Sequence, residues 1–128
     1  MFHDNDDCIT YLEQIRWGDR PQCPYCHSTR AHAYKQQRRY HCNECFTSYS
    51  VTVDTIFHGS HVELTKWFRA IFLLRTSRVK ISARRLSSLL GVNKSTASRM
   101  MRRIQKLVED EPELVRKIVQ FQSSRDLD

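Results

Sequence analysis

The sequence of 128 residues predicts a small α+β protein, in which an N-terminal helix and a short β-rich segment precede an all-α domain of three helices. Two Cys-x-x-Cys pairs, at 23–26 and 42–45, lie in a segment rich in strand-forming residues. Residues 64–108 place their apolar side chains at helical spacing, and Gly91 separates two of these helical runs. A chain of this length can form one ordinary domain or two very small ones.

Residues 1–20 begin with an acidic stretch and continue as a short predicted helix. Asp6 is suited to cap the start of this helix, because an aspartate side chain accepts hydrogen bonds from the amides of the first turn. Ile9, Leu12 and Ile15 follow at a spacing that puts them on one face of the helix.

The sequence also limits where the protein is expected to reside. Its polar, acidic first residues do not resemble a secretory signal peptide. The longest wholly apolar run, residues 70–74, is far too short to span a membrane. We therefore expect a soluble intracellular protein without a membrane partner, in the cytoplasm or nucleoid of a bacterium or in the nucleus of a eukaryote.

Residues 21–53 carry the paired cysteines, with fifteen residues between the two pairs. Structural zinc sites take four ligands in a tetrahedron, and two thiolates spaced by two residues fit on one tight turn. Five cysteines in a reducing compartment argue against disulfides. A redox role suits the pattern less well, since a redox Cys-x-x-Cys normally occurs once, in a larger α/β fold. The pattern predicts a zinc ribbon that binds Zn²⁺ through Cys23, Cys26, Cys42 and Cys45.

Three strands are expected around this site. Residues 31–35 and 38–41 can form a hairpin, and residues 48–53 are expected to form a third strand. A segment of this size is too small to bury an adequate core. Metal binding is therefore expected to supply most of its folding free energy, on the order of 10 kcal/mol.

The residues near the four ligand cysteines do not decide what kind of molecule the ribbon binds. His27 and His41 each adjoin a paired cysteine and are interpreted as surface or knuckle residues, whereas Cys8 is expected to be a small buried apolar group. A basic and aromatic face favours nucleic acid, although a role as a brace between the helical parts stays open. The residues of this face are Arg30, Lys35, Arg38, Arg39 and Tyr40.

The all-α domain is predicted at residues 64–108, after a connector at residues 54–63. Thr65 can cap a first helix that runs to about Thr76. Residues 109–128 follow as an acidic break, a short amphipathic helix and a frayed tail.

The second and third helices of this domain have clear end signals. Ser82 can cap the second helix, and Gly91 can end it in the left-handed conformation that favours glycine. Val92 is expected to be a buried turn residue, and Asn93 is expected to cap the third helix.

The charge of residues 64–108 indicates a polyanionic partner. Lysines and arginines exceed carboxylates by 21 to 14 in the whole chain, but this segment contains twelve cations and no Asp or Glu. A solvated helix usually mixes signs, because pairs of opposite charge stabilise it, so a surface of one sign points to phosphate. A helix, a short turn and a second helix is also the arrangement that enters the major groove. An ordinary three-helix bundle with a charged face stays open.

The third helix and the start of the second carry the candidate DNA contacts. Small polar residues near the start of a recognition helix can approach base edges, and basic residues can reach guanine edges or phosphates. The candidates for base contact are Ser95, Ser98 and Arg99. The candidates for phosphate contact are Lys94, Arg102, Arg103, Arg84 and Arg85, and Lys106 lies on the same outward face.

These features together resemble the N-terminal region of insertion-sequence transposases that begin with a zinc ribbon. The resemblance covers about residues 9–106, and the motifs agree in order and spacing. They are Arg16-Trp17, C-P-Y-C, C-N-E-C, S-V-T-V at 50–53, T-I-F-H-G-S at 55–60, L-T-K-W-F at 64–68, I-S-A at 81–83 and L-G-V-N-K-S-T-A-S-R-M at 90–100. His27 replaces the usual knuckle glycine, which predicts a strained turn. Asp19-Arg20 and Ser98 also depart from the family pattern, Ser98 at a commonly aromatic position.

The resemblance implies that the ribbon and the helix-turn-helix grip transposon ends, and that a catalytic domain with an acidic triad follows them. The twenty residues after Val108 cannot build such a domain, so no catalytic residue is carried over. We therefore expect a zinc-dependent protein that binds duplex DNA without enzyme activity, derived or truncated from such a transposase. The expected partners are DNA and either a full-length transposase or a second copy, with no small-molecule substrate.

Two other functions stay open at this point. A helix-turn-helix transcription regulator would be favoured by an operator-like palindrome and a dimer, whereas affinity for terminal inverted repeats would favour transposition. A zinc-dependent protein-interaction module, dimerising through residues 114–121, would be favoured by failure to bind any DNA at moderate salt.

Overall fold

A computed structural model describes residues 4–34, 38–53 and 55–126 of the chain. The elements in chain order are α1 (Asn5–Trp17), β1 (Ala31–Ala33), β2 (Tyr40–Cys42), β3 (Ser48–Tyr49), α2 (Leu64–Thr76), α3 (Ala83–Leu90), α4 (Lys94–Asp110) and α5 (Pro112–Asp126). The predicted fold class is confirmed: an N-terminal helix and a three-stranded antiparallel sheet precede a set of helices. The chain divides into two compact units, residues 9–59 and residues 1–8 with 60–128.

The first helix begins two residues earlier than its predicted cap implies. Asp4 Oδ1 accepts a hydrogen bond from the Asp7 amide at 2.8 Å, and Asp7 Oδ2 accepts one from the Asp4 amide at 3.2 Å. This reciprocal pair satisfies two amides that the first turn leaves without helical partners. The prediction that Asp6 caps the helix is therefore wrong, since Asp6 lies inside the first turn.

The buried side of α1 is centred on Leu12, as the spacing predicts. Leu12 is fully buried, whereas Ile9 and Ile15 at the edges of the same face are half-buried. Cys8 is buried as expected, and burial, helped by the charges of Asp7 and Asp4, raises its pKa to about 12. A thiol in this state is an inert apolar group.

The sheet has the order β1-β2-β3 with antiparallel pairing throughout. Ala31 pairs with Cys42, Ala33 with Tyr40, and Tyr40 with Tyr49, so these residues share one face. The predicted hairpin forms, although its strands are shorter than expected and residues 35–37 lie outside the described part of the chain.

The third strand is shorter than the sequence predicts, because the chain turns after Tyr49. The Val53 amide donates to the Ser50 carbonyl at 3.3 Å, which closes a turn. The guanidinium of Arg16 donates to the carbonyls of Val51 and Val53. Val51 and Val53 are nevertheless buried. Val51 and Val53 are therefore buried within a turn and not in a strand. The Arg16 side chain satisfies their carbonyls, which pairing with a neighbouring strand would otherwise have satisfied.

The helical unit has its core between α2, α4 and α5. Fully buried residues of α2 include Phe68 and Ile71, and the ring of Phe68 meets that of Phe121 edge-on at 5.8 Å. Ile118 of α5 is also fully buried. The apolar side of α5 is thus buried within its own unit, which speaks against the alternative in which residues 114–121 form a dimer surface. The helix also continues to Asp126, where the sequence predicts a frayed tail.

The start of α2 differs from the prediction as well. Its N-cap is Glu63, whose side chain makes no capping hydrogen bond, and Thr65 lies within the helix. The Leu64 amide is satisfied instead by Asn5 Oδ1 at 3.1 Å. The end of α2 at Thr76 is as predicted.

The ends of α3 and α4 agree with the predicted signals. The Arg85 amide donates to Ser82 Oγ at 3.2 Å, and the Thr96 amide donates to Asn93 Oδ1 at 2.7 Å. Gly91 ends α3 with φ 72° and ψ 35°, a left-handed conformation that is unfavourable for any residue with a Cβ atom. The turn between the two helices is therefore fixed by its own residues, with Val92 half-buried rather than fully buried.

Candidate metal centre and nucleic-acid interface

The structure brings the four predicted zinc ligands together. The sulfur atoms of Cys23, Cys26, Cys42 and Cys45 all lie within 4.8 Å of one another. Cys23 Sγ and Cys45 Sγ are 3.6 Å apart, and Cys26 Sγ and Cys42 Sγ are 3.5 Å apart. A tetrahedron of sulfurs about 2.3 Å from zinc has edges of about 3.8 Å, so the four sulfurs are close enough together to hold a Zn²⁺ ion.

Each cysteine pair sits on a turn of the same design. The first cysteine of each pair donates its amide to a carbonyl five residues later, Cys23 to Ser28 and Cys42 to Thr47, each at 3.0 Å. Its carbonyl in turn accepts from the amide four residues later, which belongs to His27 or to Phe46, each at 2.9 Å.

The residue that follows each pair has a left-handed backbone. His27 has φ 66° and Phe46 has φ 63°. The strain predicted for His27 is therefore confirmed, and the second turn has the same strain at a bulkier residue.

Hydrogen bonding within the second turn favours thiolates. Hydrogen bonds from Thr47 lower the pKa of Cys45 to about 6, and the Cys45 amide lowers the pKa of Cys42. The Ser28 amide acts in the same sense on Cys26, but desolvation and hydrogen bonds to the neighbouring cysteines raise the pKa of Cys26 to about 12. Four thiolates this close repel one another, and a bound divalent cation would offset that repulsion.

The exposed side of α3 and α4 carries most of the predicted DNA-contact residues. Ala97, Met100, Ile104 and Leu107 form the buried side of α4. The exposed predicted residues are Arg84, Arg85, Lys94, Ser95, Arg99, Arg102 and Lys106. Among the residues that the structure describes, none of the six cations in this set has an ion-pair partner.

Two predicted DNA-contact residues are placed differently. Ser98 and Arg103 are both half-buried, and Arg103 is engaged within the protein. Both lie at the border between the buried and the exposed sides of α4, where helical spacing alone does not decide the exposure of a side chain.

Comparison with known proteins identifies the cysteine-rich part of the chain. Residues 3–48 match the family described as the transposase zinc-ribbon domain. This part of the chain is therefore similar to a transposase zinc ribbon. A similar protein is an uncharacterized protein in the transposable element ISH50 of Halobacterium salinarum, 33% identical over 95 residues. The alignment covers 72% of this chain and 32% of the relative, so the chain spans about a third of that protein. No solved structure matches the chain.

The inner face of the zinc-ribbon domain is an aromatic cluster beside the cysteines. Trp17 meets Tyr40 and Tyr49 edge-on at 5.4 and 5.7 Å, and the two tyrosine rings stack at 5.8 Å. Tyr40 donates its hydroxyl to Glu13 Oε2 at 2.7 Å, and burial together with this bond raises its pKa to about 12. Tyr40 therefore belongs to the core, and its predicted place on a basic, aromatic outer face is wrong.

The predicted basic face of the zinc-ribbon domain is also divided by internal pairing. Arg30 pairs with Glu44 at 2.6 Å, and Arg38 pairs with Glu13 at 3.4 Å. Lys35 lies outside the described residues. A different group of rings, which sequence reasoning missed, occupies the outer face of the sheet: His32, Tyr34, His41 and Phe46. Strand alternation from the inward Cys42 would have placed His41 and its partner there.

None of the helices that the structure describes combines the length and the apolarity that crossing a bilayer requires.

Proposed function

We propose that this chain binds duplex DNA through a helix-turn-helix formed by α3, the turn at 91–93 and α4, with α4 as the recognition helix. The observation that carries the proposal is the set of six exposed cations on α3 and α4 that form no ion pair with any residue in the described part of the chain. No carboxylate occurs anywhere from residue 64 to 108 to neutralise them. Mutual repulsion on such a surface destabilises the free protein, and a phosphate backbone relieves it.

The dimensions of α4 suit the major groove. With 17 residues α4 is about 25 Å long, and the groove is about 12 Å wide, enough to admit one helix. Asn93 satisfies the Thr96 amide, so the first turn is fixed while Lys94 and Ser95 remain exposed. In this proposal Ser95 and Arg99 contact bases, and Lys94 and Arg102 contact phosphates. Ser98 is a weaker candidate, because it is half-buried.

The start of α3 supplies the second phosphate contact. Arg84 and Arg85 are exposed in the first turn after the Ser82 cap, where the amides of the helix N-terminus and two basic side chains both favour an anion. In helix-turn-helix proteins the first helix crosses the DNA backbone while the second lies in the groove. Arg84 and Arg85 are therefore assigned to phosphate, whereas Lys106 near the far end of α4 is exposed on the same side and is assigned no specific contact.

The zinc-ribbon domain and its relative suggest the biological setting. The relative is named as a protein in a transposable element, and the matched family is a transposase domain. We therefore assign the DNA target to the ends of an insertion sequence, with Zn²⁺ held by Cys23, Cys26, Cys42 and Cys45. In this proposal α3 and α4 recognise DNA, and no catalytic role is assigned to any residue of the chain.

Selection from random duplex DNA tests the proposal. The zinc-loaded protein is incubated with a pool of duplexes at two salt concentrations, and the retained pool is sequenced. We expect salt-sensitive retention and an enriched motif, and we expect Arg99→Ala to relax the motif at one position. A motif that matches terminal inverted repeats supports transposition, whereas a short palindrome bound by a dimer supports a transcription regulator. No retention at either salt concentration would refute DNA binding.

A further inference from the structure

The outer face of the ribbon sheet presents a continuous row of four rings, His32, Tyr34, His41 and Phe46. The ring centroids of His32 and His41 are 5.0 Å apart, and those of His41 and Phe46 are 6.2 Å apart. Tyr34 lies 6.1 Å from His32 and 6.4 Å from His41. His32 and His41 are directly opposite in the strand register, so the row follows from the pairing of β1 with β2.

The row is open to solvent at a cost to the free protein. Phe46 has 74% of its surface exposed and Tyr34 has 39%. Phe46 also has a left-handed backbone, which is unfavourable for a bulky residue and which glycine would adopt freely. The left-handed backbone belongs to the metal-binding turn, as it does at His27, so the exposed ring of Phe46 is the feature that the zinc site does not itself require.

The charge around the row is suited to a nucleic acid strand. Arg39 lies on the same face, since its Nε donates at 3.0 Å to Ser48 Oγ, and Ser48 is opposite His41 in the register. Asn43 forms a hydrogen bond with His32, and the next residue, Glu44, is already paired with Arg30. The face therefore combines aromatic rings with the guanidinium of Arg39. No carboxylate pairs with that guanidinium among the residues that the structure describes.

We propose that this outer face binds the unpaired bases of a DNA strand by stacking. Exposed aromatic rings beside a basic group are the common means of holding single strands, because every base has a π face. The proposal rests on the proposed function in taking DNA as the partner, and it adds a second site that takes a different form of DNA.

The geometry favours an unpaired strand over a duplex or a protein. A duplex presents base edges and phosphates, and its base faces are already stacked at about 3.4 Å per step. The rings of the row are tilted or edge-on to one another, with centroids 5.0–6.4 Å apart, so a base must leave its own stack to lie on one of them. Arg39 beside the rings supplies a positive charge suited to a phosphate strand, which a purely apolar protein partner would not use.

Binding of a fluorescent oligothymidylate of about a dozen nucleotides tests this proposal, since single-strand sites on small domains span about 4–16 nucleotides. The zinc-loaded full chain is used, with variants Tyr34→Ala and Phe46→Gly. Each variant should weaken binding about tenfold, which corresponds to about 1.4 kcal/mol and to the stacking of one base on one ring. Tyr25→Ala is the matched control, because Tyr25 is 56% exposed on the same domain but outside the row, and it should bind as the unmodified chain does.

The outcomes separate this site from the helix-turn-helix. Arg102→Ala should weaken duplex binding and leave oligothymidylate binding unchanged. Zinc content is measured for every variant, and Phe46→Gly should retain zinc at least as well as the unmodified chain, so its loss of binding cannot be a loss of folding. Oligothymidylate binding that survives both ring substitutions, or that falls equally in Tyr25→Ala, would overturn the proposal while leaving duplex recognition untouched. Tighter binding of oligouridylate of equal length would overturn the assignment to DNA.

Discussion

Replacement of Arg102 by alanine gives a quantitative test of the α3–α4 surface. The sequence offers five candidates for phosphate contact, but Arg103 is half-buried and engaged within the protein, so the structure leaves four exposed ones. They are Arg84, Arg85, Lys94 and Arg102. Each phosphate neutralised contributes about −0.9 to the slope of log K against log salt, so four contacts predict a slope of about −3.6.

The expected change in affinity follows from this slope. Between about 50 and 200 mM salt, the unmodified chain should lose about 150-fold in affinity for duplex DNA. Arg102→Ala should have a slope of about −2.7 and lose only about 40-fold over the same range. The two binding curves should therefore converge as salt rises, and the weakening should be similar for every DNA sequence, because phosphate carries no sequence information.

Fluorescence anisotropy with one labelled duplex at several salt concentrations measures both slopes. Arg116→Ala is the matched control: it removes one exposed cation from α5, where Arg116 is paired with Glu113, and changes the net charge equally. Its slope should equal that of the unmodified chain. An unchanged slope in Arg102→Ala would refute the phosphate contact, and an equal fall in Arg116→Ala would show that net charge, not a local contact, sets the salt dependence.

Four further predictions concern zinc binding and stability. Removing Zn²⁺ with a strong chelator should abolish the strand signal of residues 21–53 in circular dichroism while most helical signal remains, and a retained strand signal would contradict a metal-dependent fold. Phe46→Gly should tighten zinc binding about fivefold in competition with a chromophoric chelator, because relief of the left-handed strain is worth about 1 kcal/mol. In urea unfolding, Asn93→Ala should lower the free energy of unfolding by about 1 kcal/mol, because the cap of α4 is lost. Ile118→Ala should lower it by about 2–5 kcal/mol, because a cavity forms in the core. A negligible effect of both substitutions would refute both assignments.

The features that the sequence predicts well are those set by a few neighbouring residues. Ser82, Gly91 and Asn93 act on amides or dihedral angles within their own turns, so their identity is sufficient to predict their roles. The cysteine cluster is similar, because each pair forms one tight turn whatever surrounds it.

The features that the sequence predicts poorly depend on contacts between distant residues. The Leu64 amide is capped by Asn5, which is 59 positions away, so no local pattern indicates it. The turn after Tyr49 is held by Arg16, although residues 51 and 53 have strand-forming side chains. At the outer face, composition identified Tyr40 as an exposed ring, but the register turns it toward the core, where it is half-buried, and Tyr34 and Phe46 are exposed instead.

The division of α4 into two sides has a consequence for how such proteins diverge. Ala97, Met100, Ile104 and Leu107 hold the helix in its unit, whereas Ser95 and Arg99 are exposed and contribute nothing to the core. Substitutions at exposed helical positions usually change stability by less than about 0.5 kcal/mol. If Ser95 and Arg99 read bases, a lineage can change the DNA ends that it recognises without first acquiring compensating mutations in the core. Recognition and folding then evolve at different rates within a single helix.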